Sequence, residues 1–248
     1  MAPLITFLKV LFLNTILYEN CRTDQIQDCR YTDFLITGAT SSTIDRCGSG
    51  SQSLYLGPYG FKTTVTKTFT NLTPKSNLQL SVGIWKFDTW DGEGVQIWAN
   101  DVLLGNIIIG HDDGTRLCRT NVDNDLLVHV TKQFQVQETS LTIKFVDDLN
   151  EPLNNESWGF RDLIIQIFIP CINLYSECNY QGNLYQICKG EQLQSSKNIP
   201  FEIKSIQLSP NTQIKLKSPH YFGGNQIEFT TSQPCLDSFK FPKYMKPN

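Results

Sequence analysis

The sequence has little charge and few of the residues that form common catalytic and metal sites. Asp, Glu, Lys and Arg make up only 18% of its 248 residues, and only three residues are His. It has no Cys-x-x-Cys pair, no Gly-x-Ser-x-Gly segment and no Gly-rich phosphate loop. These absences argue against a zinc site, a serine-hydrolase nucleophile and nucleotide binding. A net charge of −3 without a basic patch argues against nucleic acid as a partner. We assign no catalytic residue and do not expect an enzyme.

Eight cysteines, an even number, are the strongest compositional signal. Four fall before residue 119 and four after residue 170, which predicts two disulfides in each of two domains. Such a framework is typical of secreted proteins, because disulfides persist in oxidising compartments. Sequence alone leaves three pairings open for each set. We favour one pair that clasps the ends of the second domain and one across its first hairpin. The first set is Cys21, Cys29, Cys47 and Cys118, and the favoured pairs of the second set are Cys171–Cys235 and Cys178–Cys188.

Residues 1–19 are interpreted as a secretory signal peptide. The apolar run over residues 4–18 is interrupted by Lys9 and Asn14 and is too short to span a bilayer comfortably. Cleavage is expected near residues 18–20, and the alternatives are an uncleaved anchor or a buried first strand. No second apolar run follows. We therefore expect no transmembrane segment in the mature protein, and a location that is secreted, in secretory granules or at the extracellular surface.

Residues 20–170 predict one β-rich domain. Short runs of alternating apolar and polar residues are separated by Gly, Asn, Asp and Pro, the pattern of half-buried strands and turns. Eight or so such strands are typical of a β-sandwich or jelly roll. Segment 83–98 holds three of the four Trp residues, and its Asp91-Gly92 pair predicts a hairpin turn. We expect this hairpin to face the second Trp-containing segment, residues 154–162.

A second, shorter β domain is expected at residues 171–241, followed by a tail at 242–248. Six residues separate Tyr175 from Gly182. This spacing allows an aromatic ring to pack over a backbone that only glycine can bend so tightly. Strand, aromatic-rich turn and glycine then recur, which indicates an internal repeat of about forty residues.

The second domain resembles a βγ-crystallin domain. The resemblance covers residues 171–239 and rests on Tyr175-x6-Gly182, on Ser205 and on a Tyr-Phe-Gly-Gly segment that ends at Gly224. It implies a double Greek key in which the Ser205 hydroxyl bonds the folded hairpin. The positions to which it assigns a structural role are Tyr175, Gly182, Ser205, Gly223 and Gly224.

Two features of the second domain depart from this family. Leu216 stands where an aromatic residue is expected in the second repeat. Many microbial members bind calcium, but the equivalent segment here has Glu202 as its only acid and Lys204 in place of the first serine. Because a lysine opposes the convergence of oxygen ligands on a cation, we expect weak calcium binding or none in this domain.

The whole chain also resembles a group of ciliate proteins. The Trp-Asp-Gly-Glu segment at residues 90–93 and the Glu-Ser-Trp-Gly segment at residues 156–159 are similar to those of ciliate surface and secreted modules. A C-terminal βγ-crystallin domain is shared by ciliate dense-core secretory-granule cargo. The resemblance implies an all-β fold, with a jelly-roll or galactose-binding-like β-sandwich before the double Greek key. It also implies a non-enzymatic structural or interaction protein, packed into granules or an extracellular matrix or coat with other secreted proteins or itself as partners.

Four carboxylates near the two Trp segments are candidate calcium ligands. If the strand ends are adjacent the four converge, and such a cluster repels itself unless a cation is bound. The alternative is structural: Asp91-Gly92 forms a turn, Asp88 caps it, and Glu156 pairs with Arg161. A further alternative, paired carboxylates for glycoside cleavage, would use Asp88 and Glu156. The candidate calcium ligands are Asp88, Asp91, Glu93 and Glu156.

Trp90 is the candidate sugar-binding residue. An exposed indole beside Asp and Asn can stack on a sugar ring while the polar groups bond its hydroxyls. Trp85 and Trp98 alternate with apolar strand positions and are assigned to the core. A carbohydrate-binding lectin or adhesion module is therefore the alternative function, with glycans as partners.

Overall fold

The protein divides into two compact units, Met1–Phe168 and Ile169–Asn248. Apart from short 3₁₀ turns, the regular structure of the described residues is β-strand, so the predicted all-β class is confirmed. Within the same residues, no apolar helix reaches the length needed to cross a membrane. The computed structural model describes residues 15–24, 29–40, 43–48, 54–118, 123–189, 199–209, 212–217 and 226–236.

The first unit contains ten strands that form one antiparallel sheet, in the order β7-β6-β9-β4-β10-β5-β8, with β1 added to β10 and with β2 and β3 added to β4. The end strands β7 and β8 come into contact. The sheet therefore folds over into a sandwich, with β10, β5 and β8 in one layer and β9, β6 and β7 in the other. The strands are β1 Thr15–Asn20, β2 Leu35–Thr40, β3 Ile44–Arg46, β4 Leu54–Phe69, β5 Ser76–Asp88, β6 Gly94–Ala99, β7 Val102–Ile108, β8 Leu126–Val136, β9 Leu141–Asp147 and β10 Glu156–Ile167.

The core of this unit follows from the period of two along each strand. On β5, Leu78, Leu80, Val82 and Ile84 are all 0–2% exposed, while the residues between them point to the other face. Fully burying an apolar side chain of this size contributes about 1.5–3 kcal/mol, so these four side chains together contribute roughly 6–12 kcal/mol. The buried aromatic residues of the same core are Tyr59, Trp90, Phe145, Trp158 and Phe160.

Strand β4 passes through both layers and bends between them. Phe61 and Lys62 have positive φ values of 55° and 65°, which few residues other than glycine adopt. A buried carboxylate holds this bend: Asp147 accepts hydrogen bonds from the backbone N–H of Lys62 at 2.7 Å and of Thr63 at 2.9 Å. It also accepts one from Nε1 of Trp158 at 2.7 Å. Burial raises the pKa of Asp147, while these donors act in the opposite direction.

The predicted hairpin over residues 83–98 is wrong. β5 pairs with β10 and β8, whereas β6 pairs with β7 and β9, so the two strands lie in different layers. Residues 89–93 cross between the layers instead of turning within one sheet. The β5 part of the first Trp segment is the hydrogen-bonded neighbour of the second segment, with Trp85 opposite Gly159, whereas its β6 part lies in the other layer.

The expected cleavage site near residues 18–20 lies in the first strand. Residues 15–20 form β1, which pairs with β10 from Thr15 opposite Ile167 to Asn20 opposite Leu163. Cleavage at that position would remove most of this strand, of which only Asn20 is buried. The signal peptide stays a prediction, and residues 1–14 lie outside the described residues.

Polar contacts fix β1 in place. The hydroxyl of Tyr18 donates to Asp33 at 2.8 Å, and Arg30 Nε donates to the same carboxylate at 3.2 Å. Burial raises the pKa of Asp33, but these bonds and the charge of Lys67 outweigh it and hold the pKa below its usual value. Asn20, fully buried, donates to the carbonyl of Arg30 and accepts from its N–H, each at 2.9 Å.

Four disulfides hold the two units, two in each, as predicted. The favoured pairing of the second set is wrong, because Cys171 and Cys188 are opposite residues of neighbouring strands. The other bridge therefore joins the first hairpin to the end of the described chain. The observed pairs are Cys21–Cys29, Cys47–Cys118, Cys171–Cys188 and Cys178–Cys235.

The second unit has a three-stranded antiparallel sheet, in the order β12-β11-β13, and a separate pair, β14-β15. Ser205 is buried, donates its hydroxyl to the carbonyl of Glu177 at 2.6 Å and accepts from the N–H of Tyr180 at 3.0 Å. Gly182 has a φ of +79° at the end of this hairpin. The predicted positions Gly223 and Gly224 lie outside the described residues. The strands are β11 Cys171–Tyr175, β12 Leu184–Cys188, β13 Ser205–Leu208, β14 Ile214–Lys217 and β15 Gln226–Phe229.

Candidate functional site

The outer face of β5, β8 and β10 carries polar and small residues where the inner face is apolar. Ser81 lies opposite Thr131, and Gly83 lies between His129 on β8 and Arg161 on β10. A Cβ at Gly83 would lie 3.1–3.5 Å from the side chains of its neighbours on both strands. Because Gly83 has no side chain, the surface is depressed at this position between the larger side chains of His129 and Arg161.

One wall of the site is built by residues 22–24, which follow β1. The Cys21–Cys29 disulfide anchors the start of this segment. Thr23 donates to Asp162 from its hydroxyl and from its backbone N–H, the latter at 2.6 Å. The N–H of Asp162 in turn donates to the carbonyl of Cys21 at 2.9 Å. Asp162 has a φ of +50° where the register between β10 and β5 shifts, so a β-bulge turns its carboxylate toward this segment.

The charges of the wall compensate one another. Arg22 donates to Asp24 from Nε at 2.9 Å and to Glu19 from a terminal nitrogen at 2.8 Å. The hydrogen bond from Arg22 holds the pKa of Asp24 below its usual value. Arg161 Nε donates to the second oxygen of Asp162 at 3.1 Å. The wall thus offers many hydrogen-bonding groups with little uncompensated charge.

These elements enclose an open cavity of about 370 Å³, which we call the β5–β8 groove. Its polar lining consists of hydroxyl, imidazole, carboxylate and guanidinium groups, and Ile164, opposite Ser81 on the outer face, adds an aliphatic side chain. The lining residues are Arg22, Thr23, Asp24, Ser81, Val82, His129, Val130, Thr131, Asp162 and Ile164.

Toward the C-terminal end of β5 the same face is closed. Tyr55, Trp85 and Phe87 are 0–6% exposed and pack in one cluster with the Cys47–Cys118 disulfide. The rings of Trp85 and Phe87 stack with centroids 5.7 Å apart. The groove is therefore open along β5 only in the direction of the β5 N-terminus.

A buried lysine fixes the segment that bears this disulfide. Lys86 is fully buried, and its ammonium donates to the carbonyls of His111, Asp113 and Asn124 at 3.0, 3.4 and 2.8 Å. Burial lowers the pKa of Lys86, although the charges of Asp125 and Asp113 act in the opposite direction. The ammonium joins three separate carbonyls of one loop, as a bound cation would.

The structure corrects the assignment of Trp90 as an exposed sugar platform. Its side chain is fully buried, and Nε1 donates to the carbonyl of Ser157 at 3.0 Å. The chain crosses between the two layers at this point, so the indole fills the core between them. The assignment of Trp85 to a buried position is consistent with its 6% exposure.

Two of the four candidate calcium ligands, Glu93 and Glu156, accept hydrogen bonds from nearby groups. Glu93 accepts from the N–H of Asp91 at 2.6 Å and from Nδ2 of Asn150 at 2.7 Å. Glu156 accepts from the backbone N–H groups of residues 150 and 151, each at 3.2 Å, and burial raises its pKa. Over the described part of the chain, no three His, Cys, Asp or Glu side chains are placed to hold a metal ion. Calcium binding by the first domain stays a prediction that these positions do not favour.

The structure also bears on the alternatives for these carboxylates. Asp88 lies opposite Glu156 on the neighbouring strand, and both are 1% exposed. Neither carboxylate is accessible to a glycoside in this state. Glu156 bonds its own loop and Arg161 bonds Asp162, so the predicted Glu156–Arg161 pair is not the contact that forms.

Sequence reasoning missed the residues of the groove. The polar positions Ser81, His129 and Thr131 are visible as the outward-facing members of two alternating strands. Their pairing, however, depends on which strands are neighbours. The contribution of Asp162 depends on a bulge that no local residue pattern reveals.

Comparison with protein-family models and with curated proteins finds no match. Among solved structures, the chain is similar to the CBM22-1–GH10 modules of Clostridium thermocellum xylanase 10B, with 8% identity, a TM-score of 0.44 and coverage of 63% of this chain and 29% of that one. It is similar to the CBM22-1 xylan-binding domain of Paenibacillus barcinonensis Xyn10C, with 9% identity, a TM-score of 0.36 and coverage of 62% and 95%. It is also similar to a family 35 carbohydrate-binding module from Clostridium thermocellum, with 10% identity, a TM-score of 0.33 and coverage of 55% and 93%. Because all three TM-scores lie below 0.5, the fold described above rests on its own strand pairing.

Proposed function

We propose that the first unit binds carbohydrate in the β5–β8 groove, and that binding rather than catalysis is its function. The observation that supports this most directly is the lining of the groove, where donors and acceptors of several kinds surround a cavity of about 370 Å³. Ligand pockets in proteins measure roughly 300–1,000 Å³. The cavity is thus large enough for a small polar ligand.

The polar groups of the floor match a ligand that is rich in hydroxyls. A hydroxyl both donates and accepts, and so do the side chains of Ser81 and Thr131. Their oxygens are 3.3 Å apart, beyond the 2.5–3.0 Å of a strong O–H···O bond, so each retains capacity for a ligand. His129, which is exposed beside them, adds one donor and one acceptor when neutral. Ile164 supplies apolar surface for the C–H face of a sugar ring.

Glycan binding by the full-length protein tests this proposal. An array of plant, microbial and animal glycans would identify ligands, and calorimetry would then measure affinity for wild type, His129→Ala and Thr131→Ala. We expect each substitution to weaken binding about tenfold or more, the loss of roughly one to two good hydrogen bonds. Thr142→Ala is the matched control, because Thr142 also belongs to a cross-strand hydroxyl pair, with Thr68 at 2.9 Å, but on β9. No glycan binding by the folded wild type, or equal losses in the control, would refute the proposal.

A structural role in a secretory granule, matrix or coat is a second candidate function. Four disulfides favour an oxidising environment and so are compatible with secretion. The contact of Ser205 with its hairpin supports a βγ-crystallin-like second unit. The test is the location of a tagged copy before and after stimulated secretion. Discharge from granules would support this role, and a steady surface signal would favour adhesion through glycans.

A further inference from the structure

We propose that the ligand of the β5–β8 groove is an uncharged, linear oligosaccharide, whose end unit lies beside His129 and whose following units run along β5 and β8. This inference rests on the proposed carbohydrate binding and adds the direction, length and charge of the ligand. Three observations carry it: a ladder of polar pairs, a closed end and compensated charge.

A ladder of uncharged polar pairs continues the floor of the groove. Beyond the Ser81–Thr131 pair, Gln79 lies opposite Gln133 and Asn77 lies opposite Gln135. The amide of Gln133 donates to Gln79 at 2.8 Å, and that of Gln135 donates to Asn77 at 3.4 Å. These positions alternate along their strands, so they share the outer face.

The geometry of the ladder suits an extended chain. Residues two apart on a strand are separated by about 6.8 Å, so the rungs from residue 83 to residue 77 extend over roughly 20 Å. That distance is several times the width of one sugar ring. A single monosaccharide in the groove would leave the exposed side chain of Gln133 uncovered, whereas a chain of several units would contact it.

The closed end gives the ligand a direction. The cluster that contains Trp85 and the Cys47–Cys118 disulfide occupies the outer face immediately beyond Gly83. A chain bound along β5 therefore ends at His129 and extends only toward Asn77. The groove should accept the end of a chain and not its middle.

Compensated charge selects a neutral ligand. The guanidinium of Arg22 is held between Glu19 and Asp24, and the carboxylate of Asp162 is bonded by Arg161. The rungs of the ladder are amides and hydroxyls. Among the described residues that line the groove, Arg22 is the permanently charged cation, and an anionic sugar would have to displace an existing ion pair to bind it or the neighbouring Arg161.

Calorimetry with a series of chain lengths tests the inference on the full-length protein. The probes are neutral gluco-, xylo- and manno-oligosaccharides of one to six units, with oligogalacturonates and sulfated heparin fragments of matched length as charged comparisons. We expect affinity to rise about tenfold or more between one and four units and then to level off, and we expect no binding of the charged series.

Two variants separate the ladder from the end pocket. Gln133→Ala should weaken binding of chains of four or more units about tenfold and leave the shortest bound probe unchanged, whereas His129→Ala should weaken every length. Thermal unfolding of each variant confirms that it is folded. Affinity that does not depend on length, an unchanged Gln133→Ala, or tighter binding of oligogalacturonates would overturn this inference while leaving the proposed function intact. Failure of every glycan to bind the wild type would overturn both.

Discussion

Replacement of Lys86 by methionine should destabilise the first unit by about 3 kcal/mol. The ammonium donates to three carbonyls of the segment between β7 and β8, at 2.8, 3.0 and 3.4 Å. Methionine fills a similar volume and donates no hydrogen bond. The change therefore tests whether this segment is held by the lysine or by its own packing.

The magnitude follows from two opposing effects. Hydrogen bonds from a charged donor contribute roughly 1.5–3 kcal/mol each, so losing three removes about 4–9 kcal/mol. Removing a buried ammonium also relieves a desolvation cost of several kcal/mol. The difference is on the order of 3 kcal/mol, because the carbonyls stay buried without the donor. For a unit of this size, that corresponds to a fall in Tm of about 6–12 °C.

Tryptophan fluorescence provides an assay specific to the first unit, because all four Trp residues lie within it. Thermal and urea unfolding of the full-length protein would be followed for wild type, Lys86→Met and Lys75→Met. Lys75 is exposed in the turn before β5, so its replacement should change the free energy of unfolding by less than about 0.5 kcal/mol. If Lys86→Met behaves like this control, the ammonium makes no net contribution and the reasoning is refuted.

Four further predictions address other parts of the molecule. Wild type should lose more stability than Asp33→Asn as the pH falls from about 4 to 2, as measured by acid unfolding curves. The pKa of Asp33 is lower in the folded than in the unfolded protein. The ionised carboxylate therefore stabilises the fold above its unfolded pKa, and this stabilisation is lost as the pH falls through its folded pKa. The double substitution Cys21→Ser and Cys29→Ser should make the segment that carries Thr23 more mobile and weaken glycan binding several-fold, as measured by calorimetry. The Trp-containing core should remain folded. Ser205→Ala should lower the stability of the second unit by about 1–3 kcal/mol, measured by hydrogen exchange, because two backbone groups of its hairpin lose a partner. Calcium titration should leave the Tm unchanged in wild type and in Glu156→Gln, because the Glu156 carboxylate already accepts two backbone hydrogen bonds from its own loop.

Controls make these outcomes decisive. Thr230→Ala removes an exposed hydroxyl of the second unit and should not change hydrogen exchange in the hairpin. If it does, the effect at Ser205 is not specific.

A calcium-dependent rise in Tm that is lost in Glu156→Gln would restore the predicted calcium site. Parallel acid unfolding of wild type and Asp33→Asn would contradict the assigned role of that carboxyl, and unchanged glycan affinity without the Cys21–Cys29 bridge would contradict the role of the wall.

Local patterns in the sequence are sufficient to predict most strands after residue 54 of the first unit, but neither β1–β3 nor which strands are neighbours. The alternation of Leu78, Leu80, Val82 and Ile84 predicts a half-buried strand, and each of these side chains is in the core. The Asp-Gly pair after β5 predicts a hairpin, because such pairs commonly close two-residue turns. The chain instead crosses to the other layer there, since both β5 and β6 already have two neighbours that are distant in sequence. Long-range pairing decides this, and no local pattern encodes it.

The same limit explains the fate of the candidate site residues. The polar turn next to Trp90 predicts an exposed indole, but its ring is buried in the core where residues 89–93 pass from one layer to the other. The groove combines Thr23 and Asp162, which are 139 positions apart in the sequence. Their contact depends on β1 pairing with β10 and on a bulge, neither of which is visible in residue spacing.

The Cys47–Cys118 bridge has a consequence for how the protein withstands proteolysis. It joins residues 71 positions apart, and β4, β5, β6 and β7 all lie between them. A single cut by a protease in that interval leaves both fragments covalently joined, and β4 and β5 stay paired with β9, β10 and β8, which lie outside it. The nicked chain would still present the groove, because residues from β5, β8 and β10 remain tethered to one another. Such tolerance suits a protein that acts where secreted proteases are present.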